Sequence, residues 1–206
     1  QFSLLGALVG RLAGDSVPTL EGLTEIPTME DCVAFGAAYA IQSGAAIYHI
    51  VGITPEARTL AETFSGPVPE AIVIDDDAME TERRKTAGGK LGPVDIVSIG
   101  CPHASVDELR EAAELTEKSA TSRPNDVTFY IHTSRSAYDL AEAEGVISVL
   151  TAAGVTVTAD NCSVVSYNRM PMGVRLATNS AKMAFFAKAV SKAEVLFGST
   201  QNCIAA

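Results

Sequence analysis

The hydrophobic pattern along the chain switches repeatedly between a helical and an extended rhythm. Small and apolar residues recur at helical spacing from Met29 to Gln42. Ala45 to Val51 (AAIYHIV) is short, apolar and rich in β-formers, and predicts a strand. Thr54 as N-cap, with Pro55 in the first turn, predicts a helix to about Phe64. Ala71 to Ile74 (AIVI) reads as a buried strand, and Asp75 to Lys85 as a charged, solvated helix. Ala87 to Leu91 is a loop without the GxxxxGK[ST] spacing of a phosphate-binding loop.

The second half is more regular. Val94 to Ile99 is a strand, and Ser105 followed by Glu108 has capping-box spacing for a helix to about Lys118. Thr121 to Asp126, with Pro124, is a turn; Val127 to His132 is a strand; Ser134 to Leu150 is a helix, with Gly154 behind it. Val155 to Ala159 and Glu194 to Phe197 are strands, joined by a segment near Val174 to Ala177 and a helix at Ala181 to Ala189. A short helix follows Ser199. Strands alternating with helices predict an α/β fold, a parallel sheet covered by helices. Two α/β units are expected, 1–92 and 93–206, with the boundary near Lys90 to Pro93. The chain shows no tandem repeat and no low-complexity stretch.

Composition narrows the function classes. Of 206 residues, 47% are hydrophobic, which excludes a disordered chain. With 25 acidic residues against 15 basic, the net charge is −10, a poor match for nucleic-acid binding. Charged residues make up 19%, below the roughly 25% of ordinary domains. The shortfall points to surface covered by another chain or domain. The apolar start, Gln1 to Leu8, lacks a basic leader and is far short of the about 20 residues that span a membrane. The expectations are therefore a cytoplasmic chain without membrane contact. Its start at Gln rather than Met suggests a fragment or processed subunit.

Cys32, Cys101, Cys162 and Cys203 form no CxxC pair, which excludes a zinc ribbon and a thioredoxin-type motif. They read as buried thiols or as ligands that the fold brings together. In parallel sheets, ligands bind beyond the carboxyl ends of the strands. Five successive strand ends carry reactive side chains: Cys101 and His103 with Ser105; His132 to Arg135; Asp160 to Cys162; Asn179, Ser180 and Lys182; and Ser199. Each has a plain structural reading as well. Cys101 before Pro102 fits a tight turn, or a thiolate that binds iron. His103 fits a helix cap, or a ligand or acid/base. Arg135 and Lys182 fit solvated helix starts, or clamps for an anionic substrate. His49, in an apolar run, fits a core histidine. Cys32 fits a helix core, and Cys203 remains open between core and function.

Several of these runs together resemble the aconitase X family. SIGCPHAS, Ser98 to Ser105, is similar to its cysteine motif, and HIVGITPEA, His49 to Ala57, to its strand–loop–helix motif. Thr133-Ser-Arg135, Ala159-Asp-Asn-Cys162, Thr178-Asn-Ser-Ala-Lys182 and Phe197-Gly-Ser199 follow in family order, with Cys203 near the end and Gly14-Asp15 early in the chain. The resemblance implies a hydro-lyase of the aconitase superfamily. It would dehydrate a small hydroxy acid such as cis-3-hydroxy-L-proline or a mevalonate phosphate. An iron or iron–sulfur centre would be held by Cys101 and Cys162. His103 and Ser105 would be catalytic, and His49, Ser134, Arg135, Asn179, Ser180 and Lys182 would bind substrate. The family's third cysteine lies in a Thr-Cys-x-Pro-Tyr-like motif absent here, so the chain resembles the C-terminal half of the catalytic large subunit. It is expected to work with an N-terminal catalytic segment and a swivel domain or small subunit. Two sites depart from the family pattern: Met183-Ala-Phe-Phe-Ala-Lys188 replaces Tyr-Ala-His-Tyr-Ala-Pro, and Asn202 replaces an acidic residue. The alternatives are a non-catalytic α/β subunit and a small-anion-binding protein without iron.

Overall fold

The computed structural model describes residues 1–88, 93–119, 127–165 and 170–206. The turn expected at 121–126 lies outside these, as does nearly all of the boundary expected at 90–93. The chain divides into two compact units, Gln1–Glu82 and Arg83–Ala206.

The first unit is built on two helices, α1 (Phe2–Ala13) and α2 (Met29–Ala40). The apolar start of the chain is the front of α1, with Leu4, Ala7, Leu8 and Val9 buried. The helices touch through glycine: a Cβ added at Gly6 would overlap the Phe35 carbonyl, and one at Gly10 would crowd that of Tyr39. Thr28 and Asp31 form a capping box that starts α2. Between and after these helices, β1 (Thr19–Leu20) pairs in parallel with β2 (His49–Ile50). The expected strand at 45–51 thus shrinks to two residues.

The helix expected from Thr54 does not form. The Thr54 hydroxyl accepts from the Ile50 N–H at 3.0 Å and closes a turn instead. Only a single 3₁₀ turn, Leu60–Thr63, follows. The AIVI run is not a strand either, and Ile72 and Val73 are 67% and 81% exposed. The helix α3 (Asp76–Thr86) forms as expected, starting where the Ala78 N–H donates to Asp75. It is not wholly solvated: Glu82 is buried and ion-paired with Arg11.

The second unit is a five-stranded sheet in the order β5-β4-β3-β6-β7, parallel throughout. The strands are β3 (Ile96–Ala104), β4 (Thr128–Thr133), β5 (Val155–Ala159), β6 (Arg175–Thr178) and β7 (Glu194–Phe197). The intervening helices are α4 (Val106–Lys118), α5 (Arg135–Ala143), α6 (Val146–Ala152), α7 (Ala181–Ser191) and α8 (Thr200–Ile204). The one helix expected at 134–150 is two, broken at Gly145 with φ +82°. One face of the sheet packs Val97, Ile99, Phe129 and Ile131 against Leu109 and Ala112 of α4, Ile147 and Leu150 of α6, and Ile204 of α8. The other packs Ile96, Leu176 and Val195 against Met183, Ala184 and Ala187 of α7. The result is the expected α/β/α sandwich.

Candidate active site

Two successive connections, β3 to β4 to β5, step one way across the sheet, while β6 and β7 lie on the other side of β3. The order therefore reverses between β3 and β6, which opens a crevice at their carboxyl ends. Cys101 lies on β3 at that edge, and Asn179, Ser180 and Lys182 follow β6.

A local irregularity aims Cys101. Side chains alternate faces along a strand, so Cys101 would share the face of Val97 and Ile99. The register with β4 shifts between Ile99 and Ala104, and Gly100 has φ +88°. This bulge reverses the alternation. Cys101 instead joins Ile96, Met183 and Ala184 on the face of α7, with Cys162 packed against it. Gly100 is required on two counts: its left-handed φ, and the His132 carbonyl that a Cβ would overlap. The peptide bond Cys101–Pro102 is cis.

The two thiols hydrogen-bond to each other. Cys162 is held well below the ordinary thiol range, first by the bond from Cys101 and then by the N–H groups of Val164 and Val165. Cys101 is pushed up by the same contact and by burial. Loss of a proton from the pair is thus eased at Cys162 and resisted at Cys101. Lys182 lies close enough to favour the charged form of Cys101, and His103 does the same for Cys162.

The remaining residues sort by what they touch. The Ser180 hydroxyl donates to the Cys101 carbonyl across the crevice and accepts from the Met183 N–H at 3.0 Å, starting α7. His103 is exposed, and its Nε2 lies 3.0 Å from the Asn161 carbonyl, tying the β3 loop to the Cys162 loop. Ser105 forms the expected capping box of α4, accepting from the Glu108 N–H at 3.2 Å. Ser134 caps α5 through the Ala137 N–H at 3.2 Å. Arg135 pairs with Asp160 at 3.7 Å and lies over the Tyr138 ring. Asn179 donates to Thr200 at 3.2 Å. The structure therefore brings together Cys101, Cys162, His103, Ser180 and Lys182. His49 belongs to the first unit, where its Nδ1 is buried without a hydrogen-bond partner among the described residues.

Two of the departures from the family pattern, Asn202 and Lys188, have local explanations. The Asn202 side chain accepts from the Ser199 N–H at 3.1 Å, so it completes a capping box as a carboxylate would. Lys188 donates to the Lys85 and Thr86 carbonyls at 2.8 and 2.6 Å, capping the end of α3. Burial lowers its pKa.

Two adjacent thiols, one of them with a lowered pKa, are soft donors suited to iron or an iron–sulfur cluster. Among the described residues no group of three or more His, Cys, Asp or Glu converges to hold a metal. The donor set fits part of such a centre.

A parallel α/β sandwich whose strand order reverses beside β3 has the architecture of the doubly wound class, in which ligands bind at the switch point. The residues match the aconitase X second domain over 1–84 and the aconitase X third domain over 94–206. The chain belongs to the aconitase X family. It is 35% identical to a cis-3-hydroxy-L-proline dehydratase of Hypocrea jecorina, over 98% of this chain and 35% of that protein. A Pseudomonas aeruginosa protein of the same name is 31% identical, over all of this chain and 36% of its own length. A phosphomevalonate dehydratase large subunit of Methanocaldococcus jannaschii is 30% identical, over 98% of this chain and 49% of its own. The crystal structure of Thermococcus kodakaraensis aconitase X in its holo-form superimposes with a TM-score of 0.85 at 29% identity, covering 99% of this chain and 50% of that one. The chain thus spans between a third and a half of the length of these relatives. No helix among the described residues is long and apolar enough to cross a membrane.

Proposed function

We propose that this chain forms the second and third domains of a dehydratase that removes water from a small hydroxy acid. The substrate is cis-3-hydroxy-L-proline, as in the relatives of that name that match at 35% and 31% identity. The observation that carries the reading is the hydrogen-bonded pair Cys101–Cys162 at the switch point of the sheet.

Cys101 and Cys162 would hold an iron or iron–sulfur centre, with a further ligand from a segment outside this chain. When bound, such a centre supplies Lewis acidity toward a leaving hydroxyl. The chain's own residues do the rest. Lys182, beside the pair, takes the substrate carboxylate as a charge-assisted partner. Arg135 joins it by exchanging Asp160 for that carboxylate. His103 and Ser105, at the end of β3, would hold or pass a proton. Ser180 fixes the Cys101 carbonyl, and Asn179 lines the same loop. The partners are the N-terminal catalytic segment and a swivel domain or small subunit.

The test is anaerobic purification together with the completing segments, followed by iron and sulfide analysis. Cys101→Ala and Cys162→Ala should each lower the iron content severalfold and abolish dehydration of cis-3-hydroxy-L-proline. Unchanged iron in both variants overturns the ligand assignment. Turnover of phosphorylated hydroxy acids instead overturns the substrate.

A further inference from the structure

The sheet holds a second polar cluster beneath the thiol loops. His132 on β4 is fully buried, and its ring stacks near that of Tyr130, with centroids 6.1 Å apart. Burying an imidazole is costly unless its nitrogens find partners. Here Nδ1 lies 2.7 Å from the Thr158 hydroxyl of β5, and Nε2 lies 2.6 Å from the Ser163 hydroxyl. Ser163 is 1% exposed and in turn sits 3.2 Å from the hydroxyl of Ser98 on β3. The chain of contacts therefore runs from β5 through β4 and the Cys162 loop to β3.

Its position matters more than its composition. Ser163 directly follows Cys162, and Ser98 lies three residues before Cys101 on the same strand. The Cys162 loop is not part of the ladder, so side chains must fix it. Leucine would fill the space of His132 but would hold no hydroxyl. We propose that His132 is a positioning residue for the thiol pair: through Ser163 it fixes the loop of Cys162 against the strand of Cys101. Partners that orient ligand-bearing loops in this way are worth about ten- to a hundredfold in metal affinity. The inference rests on the reading of Cys101 and Cys162 as ligands. The geometry of the pair, however, can be read without iron.

The experiment uses the protein with its completing segments, freed of metal and titrated with Cd²⁺ while thiolate–metal absorbance is followed. Cys101→Ala and Cys162→Ala identify the signal of the pair. Ser163→Ala and His132→Leu should each weaken Cd²⁺ binding about ten- to a hundredfold, with cooperative thermal unfolding retained. His132→Gln, which keeps one hydrogen bond, should recover part of the loss. The double variant Ser163→Ala/His132→Leu should be little worse than either single one, because both act through one contact. If His132→Leu fails to fold, Ser163→Ala decides, since it removes only an oxygen. Wild-type Cd²⁺ affinity in folded Ser163→Ala overturns the inference. Weakened Cd²⁺ binding with iron unchanged in the cysteine variants upholds the positioning role and overturns the iron reading instead.

Discussion

At the scale of single residues, the thiol pair makes a testable electrostatic statement. Two unfolded thiols lose their protons together near pH 8.5. In the fold, Cys162 loses its proton earlier and Cys101 later. The lowered group contributes stability above the ordinary thiol value and loses it as pH falls. The raised group contributes stability below that value and loses it as pH rises. In metal-free protein, the urea midpoint relative to Cys101→Ala/Cys162→Ala should therefore peak near pH 8.5 and shrink on either side. A flat difference from pH 6 to 10 would count against these opposed shifts. Iodoacetamide at pH 7 should modify Cys162 first, and Cys101→Ala should slow that reaction by removing the donor. The sequence shows Cys101 and Cys162 as candidates because each follows a strand. It does not show that they meet, since the bulge at Gly100 sets the face of Cys101. His132 was hidden for a related reason. It stands at a strand end like the candidate thiols, but its partners Ser98, Thr158 and Ser163 are distant in sequence.

At the scale of elements, local chemistry was legible and pairing was not. The capping box of Ser105 and Glu108 depends on residues three apart, so the start of α4 could be read directly. The five strands of the second unit were legible because turns and helices punctuate them. AIVI failed as a strand because apolar character alone supplies no partner strand. The segment 134–150 reads as one helix because its apolar spacing continues across Gly145, whose left-handed φ divides it. The contact of α1 with α2 yields a prediction whose sign opposes helix propensity. Alanine normally favours a helix interior over glycine by about 1 kcal/mol. At Gly6 the added methyl would meet the Phe35 carbonyl on the facing helix. Gly6→Ala should therefore cost about 1–3 kcal/mol, as overpacked sites do. Chemical denaturation measures it, and a gain in stability would show that the helices part without cost.

At the scale of the whole molecule, the second of the two units supplies both thiol donors, from one edge of its sheet. The relatives they match are two to three times longer. An iron centre held by two cysteines alone would exchange readily. A third ligand supplied on a docked segment acts at high effective concentration, a gain on the order of 10²–10⁴. The charge balance argues the same way. The chain carries −10 in total, so a substrate carboxylate would be retained only where local cations, Lys182 and Arg135 in the proposed site, offset the mean field. That offset strengthens if a docked segment excludes water from the crevice, because charge pairing rises as the local dielectric falls. Purified alone and reconstituted with iron and sulfide, this chain should lose most of its iron on anaerobic desalting. Purified with the segments that complete its relatives, it should keep stoichiometric iron. Only then should Lys182→Met raise KM for cis-3-hydroxy-L-proline about tenfold or more, the loss expected of one charge-assisted hydrogen bond. Equal iron retention with and without the added segments would place the third ligand within this chain. It would also leave the low charged fraction of its surface to another cause.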